Sequence, residues 1–451
     1  MSGRLLLGLH HSLSGSQSLA RLREIRGRAA WSREQILDYQ FAQLSALLAE
    51  AETHIPYYRE LFKTLGIQSR DIRDLSDFSA LPILTKDIIR ERGQDLLNES
   101  VPKDQLRTAH SGGSTGVPLS FHHDRSYDDA SEAGTFRNLL QCGWTPGETI
   151  AWVWGGNDRV YAMPPWQWEL RQYLERSYQF DPFYSGPAEM DGWLKKWQRI
   201  QPAVMIGYAS TVARFAAHVQ ARGEKLSRLK GVFTTAEKLY LPQRQIISSV
   251  FGCRVYDSYG SSEVRNIAAE CSHGRMHVSA DYVVLEVDRS GAGAGEANPF
   301  IVTSLRNRVM PFIRYRSEDC GQLLAGSCDC GSNFPLMDLN IARTSDNFVL
   351  PAGRVVHGEF FTHLMYGSEG IASFQFHQTA PGSIVLWIVP GPGESSARNR
   401  SIREAVEKVK ALEPSSEINV EVRTTEAIPL SRVGKHRFIR SDVPAFCGAT
   451  T

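Results

Sequence analysis

Short apolar runs at 151–154, 203–206, 231–235 and 254–256 alternate with segments of helical period at 128–140, 165–176 and 211–222. Strands that take turns with helices along a chain argue for an α/β domain. An earlier helix is predicted over 33–53. Ser32 is placed to cap it, Glu34 sits near its start, and Ile36, Tyr39, Leu44, Leu47 and Leu48 recur at helical spacing, so one face should be buried. From Met276 the pattern changes to strands without long helices, at 282–287, 300–303 and 312–315, which predicts a β-rich subdomain.

A separate small α+β unit is predicted at the C-terminus. Its strands 373–376 and 384–388 meet at a turn around Pro381-Gly382, a charged amphipathic helix covers 397–412, and a strand covers 418–423. Arg343, Asp346, Asn347 and Pro351-Ala352-Gly353 precede this unit and suit a hinge. The expected division is residues 1–342 and 343–451.

Charge and cysteine content exclude several classes. Fifty Lys and Arg against 49 Asp and Glu leave a net charge of +1, which excludes a generally basic nucleic-acid binder. No apolar run approaches the ~20 residues of a membrane helix. Leu5-Leu6-Leu7-Gly8-Leu9 is shorter than the roughly 7–15 residues of a signal-peptide core, so a cytoplasmic location without a membrane partner is expected. Seven cysteines are too few and odd in number for a secreted disulfide framework. Cys142, Cys253 and Cys447 are isolated. Cys271, Cys320, Cys328 and Cys330 cluster, which in a reducing compartment suggests metal rather than disulfide.

Ser111-Gly112-Gly113-Ser114-Thr115-Gly116 lies between two extended pieces, 105–110 and 119–122. Three glycines allow backbone amides to converge on an anion, and Ser114 and Thr115 add hydroxyl donors, as in a phosphate cradle. A Walker A loop would need lysine where Val117-Pro118 stands. By itself the segment also reads as a flexible hairpin tip. Downstream come Asp257-Ser258-Tyr259-Gly260-Ser261-Ser262-Glu263, then Tyr315-Arg316-Ser317-Glu318-Asp319, then Pro429-Leu430-Ser431 and Gly434-Lys435.

In this order the set resembles the adenylate-forming enzymes, the superfamily of acyl-CoA synthetases, adenylation domains and luciferases. Ile55-Pro56-Tyr57-Tyr58-Arg59-Glu60-Leu61-Phe62 and Leu81-Pro82-Ile83-Leu84-Thr85-Lys86 are similar to N-terminal signatures of its phenylacetate–CoA ligase branch, which includes ligase-like proteins of capsular polysaccharide loci. The resemblance runs from about Ile55 to Arg437. It implies a large N-terminal adenylate-forming domain of several subdomains and a small mobile C-terminal domain.

The resemblance also implies roles. Ser111, Gly112, Gly113, Ser114, Thr115 and Gly116 would hold the ATP phosphates. Ser258, Tyr259 and Gly260 would hold adenine and the α-phosphate, and Glu263 would ligate Mg²⁺, which prefers hard oxygen ligands. Outside that context Glu263 would read as a solvated charge. Asp319 matches the aspartate that takes both ribose hydroxyls, although Ser317 and Glu318 replace the usual threonine and glycine. Arg343 matches an arginine near the hinge, with Ala342 in place of the usual glycine, and Asp346 or Asn347 would be the pivot. Glu237, in Thr234-Thr235-Ala236-Glu237, resembles a segment lining the adenine pocket; it reads equally as an acid at a helix N-terminus. Lys435 would be the catalytic cation that meets the carboxylate and α-phosphate. The implied chemistry is attack of a carboxylate on Mg·ATP to give acyl-AMP, then acyl transfer to coenzyme A.

Cys271 and the histidines that follow it precede Cys328-Asp329-Cys330 by about fifty residues. Similar proteins often carry a cysteine, a histidine and a C-x-C at these places, which implies structural Zn²⁺ on Cys271, His277, Cys328 and Cys330, with His273 the alternative to His277. Four protein ligands leave no open position for catalysis. Trp152, Trp154 and Tyr208 lie at or just after predicted strand ends, where they would suit an aryl or hydrophobic acid or simply fill core. Two other functions stay open: an adenylating ligase that uses an amine or hydroxyl acceptor, and a non-catalytic nucleotide- or zinc-binding scaffold.

Overall fold

The computed structural model describes residues 3–110, 119–155, 163–182, 187–289, 298–341, 347–351, 355–365, 368–413, 418–429 and 436–443. Its strands are β1 (Arg107–His110), β2 (Ser120–His123), β3 (Ile150–Val153), β4 (Ser177–Phe180), β5 (Val204–Tyr208), β6 (Gly231–Thr235), β7 (Arg254–Tyr259), β8 (Ala268–Glu270), β9 (Met276–Val278), β10 (Val283–Val287), β11 (Asn298–Ser304), β12 (Tyr315–Leu324) and β13 (Leu336–Ile341). They continue as β14 (Asn347–Val349), β15 (Val355–His357), β16 (Ile371–Ala380), β17 (Ser383–Pro390), β18 (Asn419–Thr424) and β19 (Ile439–Ser441). The largest sheet runs β10-β11-β12-β13-β9-β8-β7-β6-β5-β3-β4. The chain divides into two compact units. The first is Met1–Glu286, Ile301–Arg316 and Leu323–Met337; the second is Val287–Phe300, Ser317–Gln322 and Asp338–Thr451.

In the first unit β4, β3, β5, β6 and β7 are parallel, as the alternation of runs and helices requires. All five residues of β5 are buried, which is why it reads as a continuous apolar run. Gly207 is needed there: a Cβ would stand 2.6 Å from Val153 Cβ on the neighbouring strand. Helices Pro187–Ile200, Ala209–Ala221 and Leu241–Phe251 carry Trp193, Trp197, Phe215, Ile247 and Phe251 into one core with Val212 and Met205. The rings of Trp197 and Phe251 lie 5.4 Å apart.

Several boundaries differ from the sequence expectation. The expected helix 33–53 is Arg33–His54, capped by Ser32 with Gln35 returning the hydrogen bond. Gln40, not Tyr39, takes the buried position and donates to the Val283 carbonyl at 2.7 Å. Strand β7 continues through Asp257, Ser258 and Tyr259 instead of ending at Tyr256. The strand expected at 312–315 begins only at Tyr315, because Arg314 has a left-handed φ of 52°. Its guanidinium bonds Glu286 and the Leu81 carbonyl, so tertiary contacts hold the break.

Tyr39 takes part in a ladder of alternating arginines and rings. Arg28 stacks over Trp31 and Tyr39, Arg306 over Tyr39 and Tyr282, and Arg137 over Tyr282 and Phe334. Asp281, 1% exposed at its side chain, pairs with Arg137 at 2.8 Å and Arg28 at 3.4 Å. Ring faces offset the guanidinium charge that this one carboxylate leaves.

In the second unit the sheet order is β18-β17-β16-β19, with β14 pairing β15. The turn expected at Pro381-Gly382 joins β16 to β17, and Gly382 has φ 75°, where a side chain would be strained. Helix Ser395–Lys410 adds Ala405 and Val409 to a core of Phe348, Phe361, Phe376 and Leu386. Gln378, fully buried, donates to the Val349 carbonyl at 2.7 Å and accepts from its N–H at 2.9 Å, fastening β14 to β16. Among the described residues no helix is long and apolar enough to cross a membrane.

Candidate active site and metal centre

The β13–β9 ladder sets Leu336 opposite His277 and so brings Cys328 and Cys330 to Cys271. The ligand atoms of Cys271, His277, Cys328 and Cys330 all lie within 4.8 Å of one another. Cys271 Sγ and Cys328 Sγ are 3.7 Å apart, and Cys330 Sγ is 3.3 Å from His277 Nε2. A disulfide would need about 2.05 Å. Tetrahedral thiolates with Zn–S bonds of about 2.3 Å lie about 3.8 Å apart, so the thiol spacing fits a shared zinc ion. The surrounding bonds fit too. The His273 and Ser332 N–H groups each donate to a sulfur, Cys271 and Cys330, at 3.4 Å. His277 faces the Phe334 carbonyl through Nδ1 at 3.0 Å, which leaves Nε2 for a metal. Burial lowers its pKa, so the imidazole is neutral near pH 7. His273 is exposed and contacts Ser272 instead.

Without a cation the thiols do not share charge evenly. Burial pushes Cys330 up to about 11. Burial acts the same way on Cys328, but hydrogen bonds from the Cys330 backbone and thiol outweigh it and hold Cys328 below its ordinary value.

The other candidates of the first unit fall at the C-terminal edge of its parallel strands. Register pairs Tyr208 with Thr235 and Thr235 with Ser258. Trp152 lies in β3 and Trp154 directly after it; their ring centroids are 6.4 Å apart, and Trp154 is 4.8 Å from Tyr208. The three aromatics thus form one group, with Tyr208 2% exposed and the tryptophans half-buried. Glu237 follows β6 and accepts the Ser210 N–H at 2.8 Å, the first turn of helix Ala209–Ala221. That helix precedes Glu237 in the chain; the helix that follows it, Leu241–Phe251, starts four residues later.

Gly260 follows β7, and Ser261 and Val264 close a tight turn through two hydrogen bonds of 2.9 and 3.0 Å. The turn leaves Glu263 6% exposed. Its Oε1 accepts from the Tyr315 hydroxyl at 3.4 Å, a partner that the spacing of the motifs did not indicate. Asp257 was also missed as an ionisable group. Burial pushes its carboxyl up to about 7, Glu270 adds to this, and Thr234 and the Ser258 N–H bond its Oδ1.

In the second unit Asp319 lies inside β12, with the Ser317 hydroxyl accepting its N–H at 3.3 Å and donating to its carbonyl at 3.1 Å. Ser111 to Gly116, Arg343, Asp346 and Lys435 lie outside the described residues, and Asn347 opens β14.

No family model matches the chain. It is 22% identical over 396 residues to protein CapK of Staphylococcus aureus, covering 86% of this chain and 85% of that one. It is 24% identical over 365 residues to a phenylacetate–coenzyme A ligase of Thermus thermophilus, covering 78% and 80%. Among solved structures, a 2-hydroxyisobutyryl-CoA ligase in the postadenylation state with 2-HIB-AMP superposes with a TM-score of 0.73 at 19% identity, covering 92% and 91%. The last likeness bears on the fold, which is that of an adenylate-forming ligase. In sequence the chain is thus similar to phenylacetate–coenzyme A ligases and to the ligase-like CapK over most of its length.

Proposed function

We propose that the protein is an ATP-dependent, AMP-forming ligase that activates a carboxylic acid as acyl-AMP and transfers the acyl group to coenzyme A. The observation that carries this reading is the match to phenylacetate–coenzyme A ligases over most of the chain. The motif residues Tyr259, Gly260 and Glu263 fall where an α/β sheet opens its ligand crevice, at the C-terminal ends of the parallel strands.

Tyr259 and Gly260 border the nucleotide in this reading, and Glu263, kept in place by Tyr315, supplies the carboxylate for Mg²⁺. Bound there, Mg²⁺ would offset phosphate charge. Ser111 to Gly116 bind the phosphates, Asp319 the ribose diol and Arg343 the ribose or phosphate. The substrate carboxylate attacks the α-phosphorus and pyrophosphate leaves; Lys435 meets the charge that develops. The coenzyme A thiol then attacks the acyl carbon and AMP leaves. Trp152, Trp154 and Tyr208 line the acid side and favour an aryl or otherwise apolar acid. Residues 1–342 and 343–451 act as separate domains, the second a lid that carries Lys435.

Zinc belongs to the same proposal. Cys271, His277, Cys328 and Cys330 would hold it and leave no open position, so it would serve structure alone. Thiols kept reduced for such a site suit the cytoplasm.

The test is pyrophosphate release over a panel of aryl, fatty and amino acids, with and without coenzyme A and with Lys435→Ala as control. Acid-dependent release with coenzyme A-dependent turnover is expected. Turnover indifferent to coenzyme A would point to an amine or hydroxyl acceptor. Absence of release with every acid would favour the scaffold.

A further inference from the structure

Asp128 stands on the first turn of helix Arg125–Leu140, a helix capped by the Asp124 carboxylate. It joins two segments that are far apart in sequence. Its Oδ2 accepts from Arg107 Nη1 at 2.5 Å, and its Oδ1 faces His123 Nε2 at 3.1 Å. Arg107 and His123 are register partners at the base of the β1–β2 hairpin, the hairpin that brackets the glycine-rich sequence. The same Oδ1 accepts from Arg265 Nη1 at 2.9 Å. Arg265 lies two residues beyond Glu263.

The neighbouring Tyr127, 2% exposed, grips that second segment by its backbone. Its hydroxyl accepts the Arg265 N–H at 3.1 Å and donates to the Glu263 carbonyl at 3.4 Å. Tyr127 and Asp128 therefore hold both the base of the hairpin and the turn that presents Glu263. Two arginines and a histidine on one carboxylate are more than a helix surface needs for stability. Burial alone would raise the Asp128 pKa, but the His123 hydrogen bond and the Arg265 guanidinium outweigh it and keep the carboxyl well below the usual range. It is ionised throughout the physiological range.

We propose that Asp128 is a positioning residue for the nucleotide: through Arg107 and His123 on one side and Arg265 on the other, it fixes the hairpin base relative to Glu263. This rests on the ligase reading above. Charge-assisted bonds of this kind are strong and directional, so their loss should loosen the relative placement of the two motifs before it unfolds either.

The experiment measures Mg·ATP binding by calorimetry, which needs no knowledge of the acid. The variants are Asp128→Asn, Asp128→Glu, Arg107→Gln and the double variant Asp128→Asn/Arg107→Gln. Asp128→Asn should weaken Mg·ATP about tenfold, and Arg107→Gln should weaken it too. The double variant should bind no worse than Asp128→Asn, because the two act as one unit. Asp128→Glu should recover part of the loss. The low Asp128 pKa also stabilises the fold, so the melting temperature without nucleotide should fall in Asp128→Asn, while the variant stays folded at the assay temperature with wild-type zinc content. Wild-type affinity in Asp128→Asn, additive losses in the double variant, or an equal loss of affinity in Asp281→Asn, a variant destabilised elsewhere, would each overturn the proposal. A wild-type chain that binds no Mg·ATP would overturn the ligase reading itself, and this proposal with it.

Discussion

His277 meets the Phe334 carbonyl through Nδ1 at 3.0 Å, and that single bond decides which nitrogen faces the three thiols. A histidine fixed this way presents a lone pair at Nε2 without a rearrangement on metal binding. Phe334 is also the last ring of the arginine ladder, so the cysteine–histidine cluster and the N-terminal segment around Arg28 share one packed layer. Purified protein should contain one zinc per chain. Cys328→Ser should lose the metal and cost about 3 kcal/mol or more of stability, read by metal analysis and denaturant melts. Full stability in a metal-free Cys328→Ser protein would contradict the structural role.

Asp281 offers a second test of the same layer. It is the buried carboxylate that Arg28 and Arg137 share. Asp281→Asn would leave guanidinium groups with too little compensating charge, at a cost of about 3–5 kcal/mol. A melt unchanged within error would show that ring faces alone suffice.

Stability should depend on pH through Asp257. Its folded pKa is raised to about 7 from an unfolded value of 3.8. Between these values the folded chain binds a proton that the unfolded chain has released, so the contribution is present below about pH 4 and is lost as pH rises to 7. Asp257→Asn removes that loss. Relative to wild type, the variant should gain about 3 kcal/mol between pH 4.5 and pH 8. Urea melts at the two pH values check it, and a constant difference between the proteins would refute the shift.

The aromatic group tests the acid side. Trp154 contacts Tyr208 at 4.8 Å between centroids at the edge of the sheet. Trp154→Ala should raise KM for the acid about tenfold with a smaller change in kcat, and should shift the ranking of acids. A lowered melting temperature with unchanged KM would make the group core instead.

Much of the architecture was legible in the sequence because it depends on local pattern. The run 231–235 matches β6, whose first four residues are buried, and Pro381-Gly382 marks the β16–β17 turn by chemistry that only a few residues supply. Strand β4 and helix Pro187–Ile200 were not foreseen: Ser177-Tyr178-Gln179-Phe180 is too polar to read as a strand, since β4 lies at the end of the sheet order. The cysteine cluster and its histidine were readable from residue type, but the preference for His277 over His273 depends on the β13–β9 ladder. Asp128 carried no signal of its own. Its partners at 107, 123 and 265 meet only through tertiary structure.

Lys435→Ala should slow acyl-AMP formation by about 10²–10³-fold while leaving transfer from supplied acyl-AMP to coenzyme A nearly unchanged. Equal losses in both half-reactions would assign the lysine a general rather than a step-specific part.

The most direct test of the whole account follows oxygen atoms. The acid that supports turnover in the panel is labelled with ¹⁸O in its carboxylate and incubated with ATP, Mg²⁺ and coenzyme A, and the products are weighed by mass spectrometry. Attack of the carboxylate on the α-phosphorus, followed by attack of the thiol on the acyl carbon, leaves one labelled oxygen in AMP for every thioester formed. Label found in inorganic phosphate together with ADP, or thioester formed with unlabelled AMP, would contradict an acyl-adenylate route.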